Sequence, residues 1–344
     1  METSHQVVVG DSREMTQLDD DSVELVVTSP PYPMIEMWDE LFASLDPAIG
    51  TALEDGDGRR AFELMHDVLA AVWNELDRVL VEGGIACVNV GDATRTVGES
   101  FRVYPNHARI TEHFDALGFD PLPDVLWRKP TNSAAKFMGS GMIPPNAYAT
   151  LEHEYVLTFR NGRRRSFEPG AERRYESAYF WEERNEWFSD VWTDVRGTLQ
   201  ALGDEGARER SAAYPFEIPY RLINMYSVYG DTVLDPFWGT GTTSTAAMVA
   251  GRDSVGYELD EGFERVFADA VEGVETLSRD VVERRLTRHQ SFLDERQREG
   301  ETFEYEAEHY ETSVRTKQER RLQLYVIDAV TGTERGYSVE HSPY

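Results

Sequence analysis

The segment from Val233 to Thr243, VLDPFWGTGTT, constrains the fold more than any other part of this chain. Val233 and Leu234 begin a short buried strand, the glycine pair predicts a tight turn with positive φ, and Thr243–Ala250 predicts a helix. Units of strand, turn and helix build sheets that are mostly parallel and covered by helices. In such sheets ligands bind beyond the carboxyl ends of the strands, so this turn is a candidate binding site.

The rest of the chain repeats this alternation. Short, apolar, β-branched stretches alternate with stretches of helical period, which predicts an α/β domain with a mostly parallel sheet flanked by helices. Near the C-terminus, residues 322–341 predict a hairpin. The other predicted strands are 6–9, 23–28, 85–90, 125–127, 154–159 and 254–257, and the other predicted helices are 61–80, 106–117, 215–227 and 261–290.

Acidic residues end two of these strands beside the glycine turn. Asp235 ends one predicted strand, and Glu258 ends the next, 23 residues later. A carboxylate that binds the ribose hydroxyls of a nucleotide cofactor is expected at a spacing of about 20 residues. The helix that follows Gly239 and Gly241 offers free N–H groups and a positive dipole end, which suit a carboxylate ligand. The third glycine of a dinucleotide fingerprint is missing, so a dehydrogenase is disfavoured.

A second motif follows the predicted strand 23–28. It reads Ser29-Pro30-Pro31-Tyr32, and two successive prolines can neither continue a strand ladder nor enter a helix. In isolation such a motif favours a rigid loop, but at the end of a buried strand it favours a site. The carbonyl of Pro30 and the oxygen of Ser29 can accept hydrogen bonds from an exocyclic amine, and Tyr32 can stack on a flipped base.

The order of the two motifs resembles that of the β group of DNA amino-methyltransferases, over roughly residues 6–160 and 210–270. Residues 89–92 and 127–130 match further blocks of that family. The resemblance implies a Rossmann-like fold with circularly permuted motif order, S-adenosylmethionine as cofactor and double-stranded DNA as partner. It implies that the catalytic residues are Ser29, Pro30, Pro31 and Tyr32, and that the cofactor-binding residues are Asp11, Asp235, Pro236, Phe237, Gly239, Gly241, Thr242 and Glu258.

The resemblance also bears on the target base. Ser29 favours N4 of cytosine, because adenine enzymes of the family usually carry Asp or Asn there; N6 of adenine is the alternative. The longer string over residues 28–39 resembles archaeal modification methylases that act on CTAG. Where the family usually has His-x-Ala-x-x-Pro, residues 211–215 read SAAYP. An alternative of another class is a DNA-binding regulator without activity, and the intact motifs argue against it.

A variable segment between the catalytic and cofactor halves is the candidate for target recognition. Arg160, Arg163, Arg164 and Arg165 begin it, and aromatic residues follow them. Such residues can contact base edges or phosphates, although a solvated loop whose arginines balance nearby glutamates is the alternative. The proposed division is 1–159 for the catalytic half, 160–195 for recognition, 196–290 for the cofactor half and 291–344 for a charged extension. The extension can contact DNA or form a dimer surface, and the sequence leaves both open.

Charge and composition set further bounds. The 344 residues carry 63 acidic and 34 basic side chains, a net charge of −29, and only three of the basic residues are lysines, which resembles the proteins of salt-in halophiles. Such acidity opposes nucleic-acid binding in ordinary salt, whereas in molar salt, with a Debye length of about 3 Å, local contacts decide. Cys87 is the only cysteine, so an intrachain disulfide is excluded, and no cluster of Cys or His predicts a metal site. No signal peptide and no apolar run of about 20 residues is present, which predicts a cytoplasmic protein.

Overall fold

A computed structural model describes residues 1–129, 138–139, 142–196 and 214–344, and a sheet of ten strands runs through it in the order β10-β6-β9-β3-β2-β11-β12-β1-β16-β15. Numbered along the chain, the strands are β1 (Glu2–Val9), β2 (Val23–Thr28), β3 (Leu80–Val90), β4 (Ala93–Val97), β5 (Ser100–Tyr104), β6 (Asp120–Arg128), β7 (Met138–Gly139), β8 (Ala147–Tyr148), β9 (His153–Arg160), β10 (Val191–Trp192), β11 (Thr232–Asp235), β12 (Asp253–Glu258), β13 (Tyr305–Glu306), β14 (Ser313–Val314), β15 (Tyr325–Thr333) and β16 (Gly336–Pro343).

The centre of the sheet is parallel, as the alternation of elements predicts. Strands β3, β2, β11, β12 and β1 all run in one direction. Strand β9 pairs antiparallel with both β3 and β6, and β16 pairs antiparallel with β1. The carboxyl ends of the five parallel strands therefore meet at one edge of the sheet, and β9 ends at the opposite edge. Strand β1 lies beyond β12, so the two proposed halves share one sheet.

Helices cover both faces of the sheet because alternate strand residues point to opposite faces. Val26 of β2 packs in a core with residues of α3 and α4, whereas Leu25 and Val27 pack in a second core with residues of α7 to α10. The helices are α1 (Asp39–Leu45), α2 (Pro47–Glu54), α3 (Gly58–Val79), α4 (Asn106–Leu117), α5 (Glu172–Glu176), α6 (Trp181–Trp187), α7 (Glu217–Tyr226), α8 (Thr242–Ala250), α9 (Phe263–Val271) and α10 (Val274–Arg298).

The C-terminal part of the chain confirms one prediction and corrects another. The predicted hairpin is present, since β15 and β16 pair antiparallel and extend the sheet beyond β1. The single helix predicted over 261–290 is wrong, because α9 ends at Val271 and α10 begins at Val274. Gly273 between them has a low helix propensity, and the break lets Phe267 and Val274 pack in the same core. No helix in the described part of the chain is long and apolar enough to cross a membrane.

Candidate active site

A cavity of about 370 Å³ opens at the carboxyl edge of the parallel strands. It collects side chains that follow β1, β2, β11 and β12, as expected of a parallel sheet. An apolar wall from α1, α3 and the turn before α1, which includes Trp38, Phe42 and Val72, closes one side. Of the predicted site residues, those that line the cavity are Asp11, Ser29, Pro30, Pro31, Asp235, Pro236, Phe237, Gly239, Thr242 and Glu258.

The glycine turn after β11 has the geometry that its sequence predicts. Gly239 and Gly241 have φ values of +52° and +75°, and α8 begins directly after them. A Cβ on Gly241 would lie 2.4 Å from the Phe267 ring and 2.9 Å from the Trp238 ring. Gly241 does not line the cavity, so its glycine is required by conformation and packing. The first N–H groups of α8 have no partner within the helix and can bind an anionic group in the cavity.

Asp235 is buried and fully engaged by the protein. Its Oδ1 accepts hydrogen bonds from Thr28 Oγ1 at 2.6 Å and from the backbone N of Phe237 at 3.1 Å. Its Oδ2 accepts from Thr243 Oγ1 at 2.5 Å. Burial raises the pKa of this carboxyl to about 6. The side chain therefore holds the end of β2, the turn and the start of α8 together.

Two further acidic residues flank the cavity. Glu258 Oε2 accepts a hydrogen bond from the backbone N of Gly239 at 2.8 Å, and its Oε1 accepts from the backbone N of Asp260 at 3.0 Å. Burial raises the pKa of Glu258. Asp11 is paired with Arg13, whose Nη2 lies 2.6 Å from Asp11 Oδ2, and hydrogen bonds from Arg13 lower the pKa of Asp11. Both carboxylates are thus oriented at the ends of adjacent strands.

The hydroxyl of Tyr32 lies at the centre of a polar network behind the Ser29 loop. It donates to Glu154 Oε2 at 3.0 Å, accepts from Asn89 Nδ2 at 2.9 Å and lies 3.1 Å from Ser29 Oγ. Lys129 Nζ lies 2.8 Å from Glu154 Oε1. Tyr32 does not line the cavity, so the structure links it to Ser29 without bringing its ring to the cavity wall.

The hydrogen-bond directions in this network have a chemical consequence. Burial first, and then the nearby Glu154 carboxylate, raise the pKa of Tyr32 well above its usual range, so the hydroxyl keeps its proton. A carboxylate only accepts hydrogen bonds, so that proton is directed at Glu154. Tyr32 can then only accept from Ser29, and the Ser29 proton points away from the cavity. The lone pairs of Ser29 Oγ remain available to accept hydrogen bonds from a ligand.

Two residues of the site carry no motif that identifies them in the sequence. Glu154 is the first residue of the predicted strand 154–159, and from the sequence a carboxylate at that position is expected to be exposed to solvent. Tyr214 lies within the segment 211–215, where the family pattern specifies a His but no tyrosine, and its hydroxyl lies 2.5 Å from Thr243 Oγ1 and 3.5 Å from Asp235 Oδ2. Ser211 to Ala213 and Pro130, which belong to the predicted blocks, lie outside the described residues.

The arginines predicted to recognise the target lie away from the candidate active site. Arg160 ends β9, which runs antiparallel to β3, so Arg160 to Arg165 follow the edge of the sheet opposite Ser29. Arg160 is ion-paired with Asp120, and Arg165 Nη1 lies 2.6 Å from Asp231 Oδ2. The structure therefore does not bring these arginines to the candidate active site, and DNA contact by them stays a prediction.

The sequence of this chain is similar to those of characterised families. A family model described as DNA methylase matches residues 23–269. The chain is 51% identical over 328 residues to the type II methyltransferase M.MthZI of Methanothermobacter thermautotrophicus, covering 94% of this chain and 91% of that protein. It is 49% identical over 280 residues to the type II methyltransferase M.MjaI of Methanocaldococcus jannaschii, covering 78% of this chain and 91% of that protein.

The fold is similar to those of solved methylases. TTHA0409 of Thermus thermophilus, solved in complex with S-adenosyl-L-methionine, matches with a TM-score of 0.59 and 32% identity, over 77% of this chain and 94% of that one. The cytosine-N4-specific PvuII DNA methyltransferase matches with a TM-score of 0.53 and 16% identity, over 77% and 86% of the two chains. At that identity the second likeness shows the fold alone.

Proposed function

This chain belongs to the family of N6/N4 DNA methylases, and we propose that it methylates N4 of cytosine in double-stranded DNA. It is a DNA methyltransferase that uses S-adenosylmethionine. We propose both the target atom, N4 of cytosine, and the residues that bind the target amine. The observation that carries it is the orientation of Ser29 Oγ as a hydrogen-bond acceptor at the cavity.

The cavity residues fit S-adenosylmethionine. The free N–H groups at the start of α8 suit its carboxylate, and Glu258 suits its ribose hydroxyls. The apolar wall around Phe42 suits its adenine, and so does Asp11, whose negative charge is offset by the ion pair with Arg13. When bound, S-adenosylmethionine supplies a methyl group on a sulfonium, which an amine nitrogen can take up without a covalent link to the protein. The buried Cys87 is therefore not needed as a nucleophile.

The Ser29 loop activates the amine of the target base. The lone pair of an exocyclic amine is delocalised into the ring, and two acceptors that bind its hydrogens favour the pyramidal, nucleophilic form. Ser29 Oγ can accept one hydrogen, because its own proton is directed at Tyr32. The carbonyl of Pro30 can accept the other, since no group in the described chain donates to it. The rigid Pro30-Pro31 backbone keeps the two acceptors at a fixed separation.

Serine at this position favours cytosine over adenine. Adenine enzymes of the family usually carry Asp or Asn there, so transfer to N6 of adenine is the second candidate. We propose CTAG as the target sequence because residues 28–39 resemble the corresponding string of archaeal CTAG methylases. We place the DNA against the carboxyl edge of the sheet, where the hairpin β4–β5 projects after β3 and the exposed rings of Phe101 and Tyr148 stack 5.3 Å apart.

Nucleoside analysis of methylated DNA tests the proposal. Duplexes with CTAG and with a scrambled site are incubated with the protein and S-adenosylmethionine, digested and separated by mass spectrometry. We expect N4-methyldeoxycytidine from the CTAG duplex alone. N6-methyldeoxyadenosine would establish the adenine alternative, and methylation of both duplexes would contradict CTAG. Binding of cofactor and DNA without any methylated nucleoside would support a regulator.

A further inference from the structure

A second cavity, of about 710 Å³, opens at the amino edge of the parallel strands. Ile85 of β3, Arg160 of β9 and the residues that follow α7 border it, and the segment 160–195 covers much of the rest. Thr28, which precedes the Ser29 loop, pairs with Val88 of β3, and Ile85 lies three residues earlier on that strand, roughly 10 Å away at about 3.3 Å per residue. The two cavities share no lining residue. The second cavity is therefore a separate site.

Its lining is basic, in a chain whose net charge is −29. Among the described residues, Glu319 is the one acidic residue that lines it. The carboxylate of Glu319 already accepts hydrogen bonds from the backbone N of Trp181 and from Thr316. The arginines that line the cavity are Arg160, Arg164, Arg165, Arg174 and Arg184.

The five arginines divide into two groups by whether a carboxylate lies beside them. Many arginines of the described chain lie against carboxylates, as Arg95 does with Asp39 at 2.6 Å. Arg160 and Arg165 follow that pattern. Arg164, Arg174 and Arg184 are exposed and have no carboxylate partner in the part of the chain that the structure describes. In an acidic protein, a group of uncompensated guanidinium ions that faces one cavity favours an anionic ligand.

Aromatic rings are interleaved with the arginines. The guanidinium groups of Arg165 and Arg174 each lie 5.1 Å from the ring centre of Phe167. Tyr179 is half-buried in the lining, and both Arg174 and Arg184 lie close enough to lower the pKa of its hydroxyl against the larger effect of burial. The remaining rings of the lining are Tyr175, Trp181 and Tyr226. The cavity thus combines positive charge with stacking surfaces.

We propose that this cavity binds a nucleotide whose base is unpaired. Guanidinium groups of Arg164, Arg174 and Arg184 would bind the phosphate, and the base would stack on the aromatic lining. The cavity volume lies in the usual range for small-molecule sites, about 300–1,000 Å³. Duplex DNA covers the faces of its bases, so it cannot use the rings. A free nucleotide and a single-stranded stretch of nucleic acid share the required chemistry.

Binding measurements on the full chain test this site apart from methylation. Saturating S-adenosylmethionine occupies the first cavity. Fluorescein-labelled single-stranded oligothymidylate is then titrated by anisotropy, and thymidine 5′-monophosphate by calorimetry. The double variant Arg174→Ala/Arg184→Ala removes two lining charges, and Arg279→Ala/Arg298→Ala removes two exposed charges on α10 as the control. Tyr179→Leu removes a ring without a change in charge.

The lining variants and the control are expected to differ in their affinity for the single strand. We expect the Kd of the single strand to rise at least about tenfold in both lining variants and to change less than about twofold in the control. If the Kd of thymidine monophosphate rises in the lining variants and not in the control, a free nucleotide is a sufficient ligand. If it does not, the ligand is a single strand. The proposal is overturned if neither probe binds, if lining and control variants bind alike, or if the lining variants weaken binding of a hairpin duplex as much as binding of the single strand. The methylation assay does not enter, so these outcomes are independent of the proposed function.

Discussion

Thr28 Oγ1 donates a 2.6 Å hydrogen bond to Asp235 Oδ1, and this contact joins the ends of β2 and β11 across 207 residues of sequence. The other oxygen of Asp235 accepts from Thr243 at the start of α8. One buried carboxylate therefore sets the position of the cofactor turn relative to the Ser29 loop. The sequence predicts Asp235 as a cofactor ligand, and that role stays a prediction; in the structure Asp235 lines the cavity and also supports the site from within the protein.

Replacement of Asp235 by alanine is expected to destabilise the glycine turn and the Ser29 loop. Thr28, Thr243 and the backbone N of Phe237 lose their acceptor, and each unsatisfied buried donor costs about 1–3 kcal/mol. We expect the free energy of unfolding to fall by about 3 kcal/mol or more, and the affinity for S-adenosylmethionine to fall with it, as measured by urea titration and calorimetry. Thr28→Val removes a single donor and is expected to cost about 1 kcal/mol. An Asp235→Ala protein with unchanged stability would contradict this assignment.

The same carboxyl predicts a pH dependence of stability. Burial raises the pKa of Asp235 to about 6 in the folded protein, above the ordinary value of 3.8, so the folded state binds the proton more tightly than the unfolded state. This contribution is fully present below the unfolded pKa of 3.8 and is lost as pH rises through 6. Asp235→Asn does not titrate. The free energy of unfolding of the wild type, relative to this variant, should fall by about 3 kcal/mol between about pH 3 and about pH 8. Parallel pH curves for the two proteins would exclude the raised pKa.

Local signals explain which parts of the site can be predicted from sequence. The Gly239–Gly241 turn and the two prolines after Ser29 fix their own backbone, so their place at strand ends follows from short segments. The direction of β9 does not follow from its apolar alternation, because parallel and antiparallel strands share the same period of two. The position of Arg160 to Arg165 depends on that direction. Glu154 becomes a buried acceptor only through contacts with Tyr32, Asn89 and Lys129, which are distant in sequence.

Removal of the Ser29 hydroxyl is expected to affect turnover and leave cofactor binding unchanged. Ser29 Oγ is oriented as an acceptor toward the cavity, and loss of one hydrogen bond that strengthens in the transition state costs about 10²–10³ in rate. Ser29→Ala should therefore lower kcat by about this factor. Calorimetric titration with S-adenosylmethionine serves as the internal control, since Ser29 forms its side-chain hydrogen bond with Tyr32 and none with the glycine turn in the described chain. Wild-type turnover in this variant would show that the loop has another role.

Glu154 and Tyr32 are expected to act as one unit. Glu154 orients the Tyr32 proton, and Tyr32 in turn orients the Ser29 proton. Tyr32→Phe and Glu154→Gln should each lower kcat about tenfold, the effect of one hydrogen bond of roughly 1.4 kcal/mol. The double variant should be no slower than Tyr32→Phe alone, because Glu154 has no route to Ser29 without the hydroxyl. Effects that multiply in the double variant would mean that Glu154 reaches the base independently.

Two arginines at opposite edges of the sheet distinguish where the target DNA binds. Arg102 lies on β5, in the hairpin that follows β3 at the edge of Ser29, whereas Arg164 follows β9 at the other edge. Neither has a carboxylate partner in the part of the chain that the structure describes, so each substitution removes one comparable charge. Arg102→Ala should weaken DNA binding and lower kcat/KM for a CTAG duplex, and it should reduce the slope of log affinity against log salt by about 0.9 if it contacts one phosphate. Arg164→Ala should leave kcat/KM and the ratio of cognate to scrambled duplex affinity unchanged. The reverse result, a loss of that ratio in Arg164→Ala alone, would confirm the prediction that residues 160–195 read the target and would indicate that the duplex binds across the amino edge.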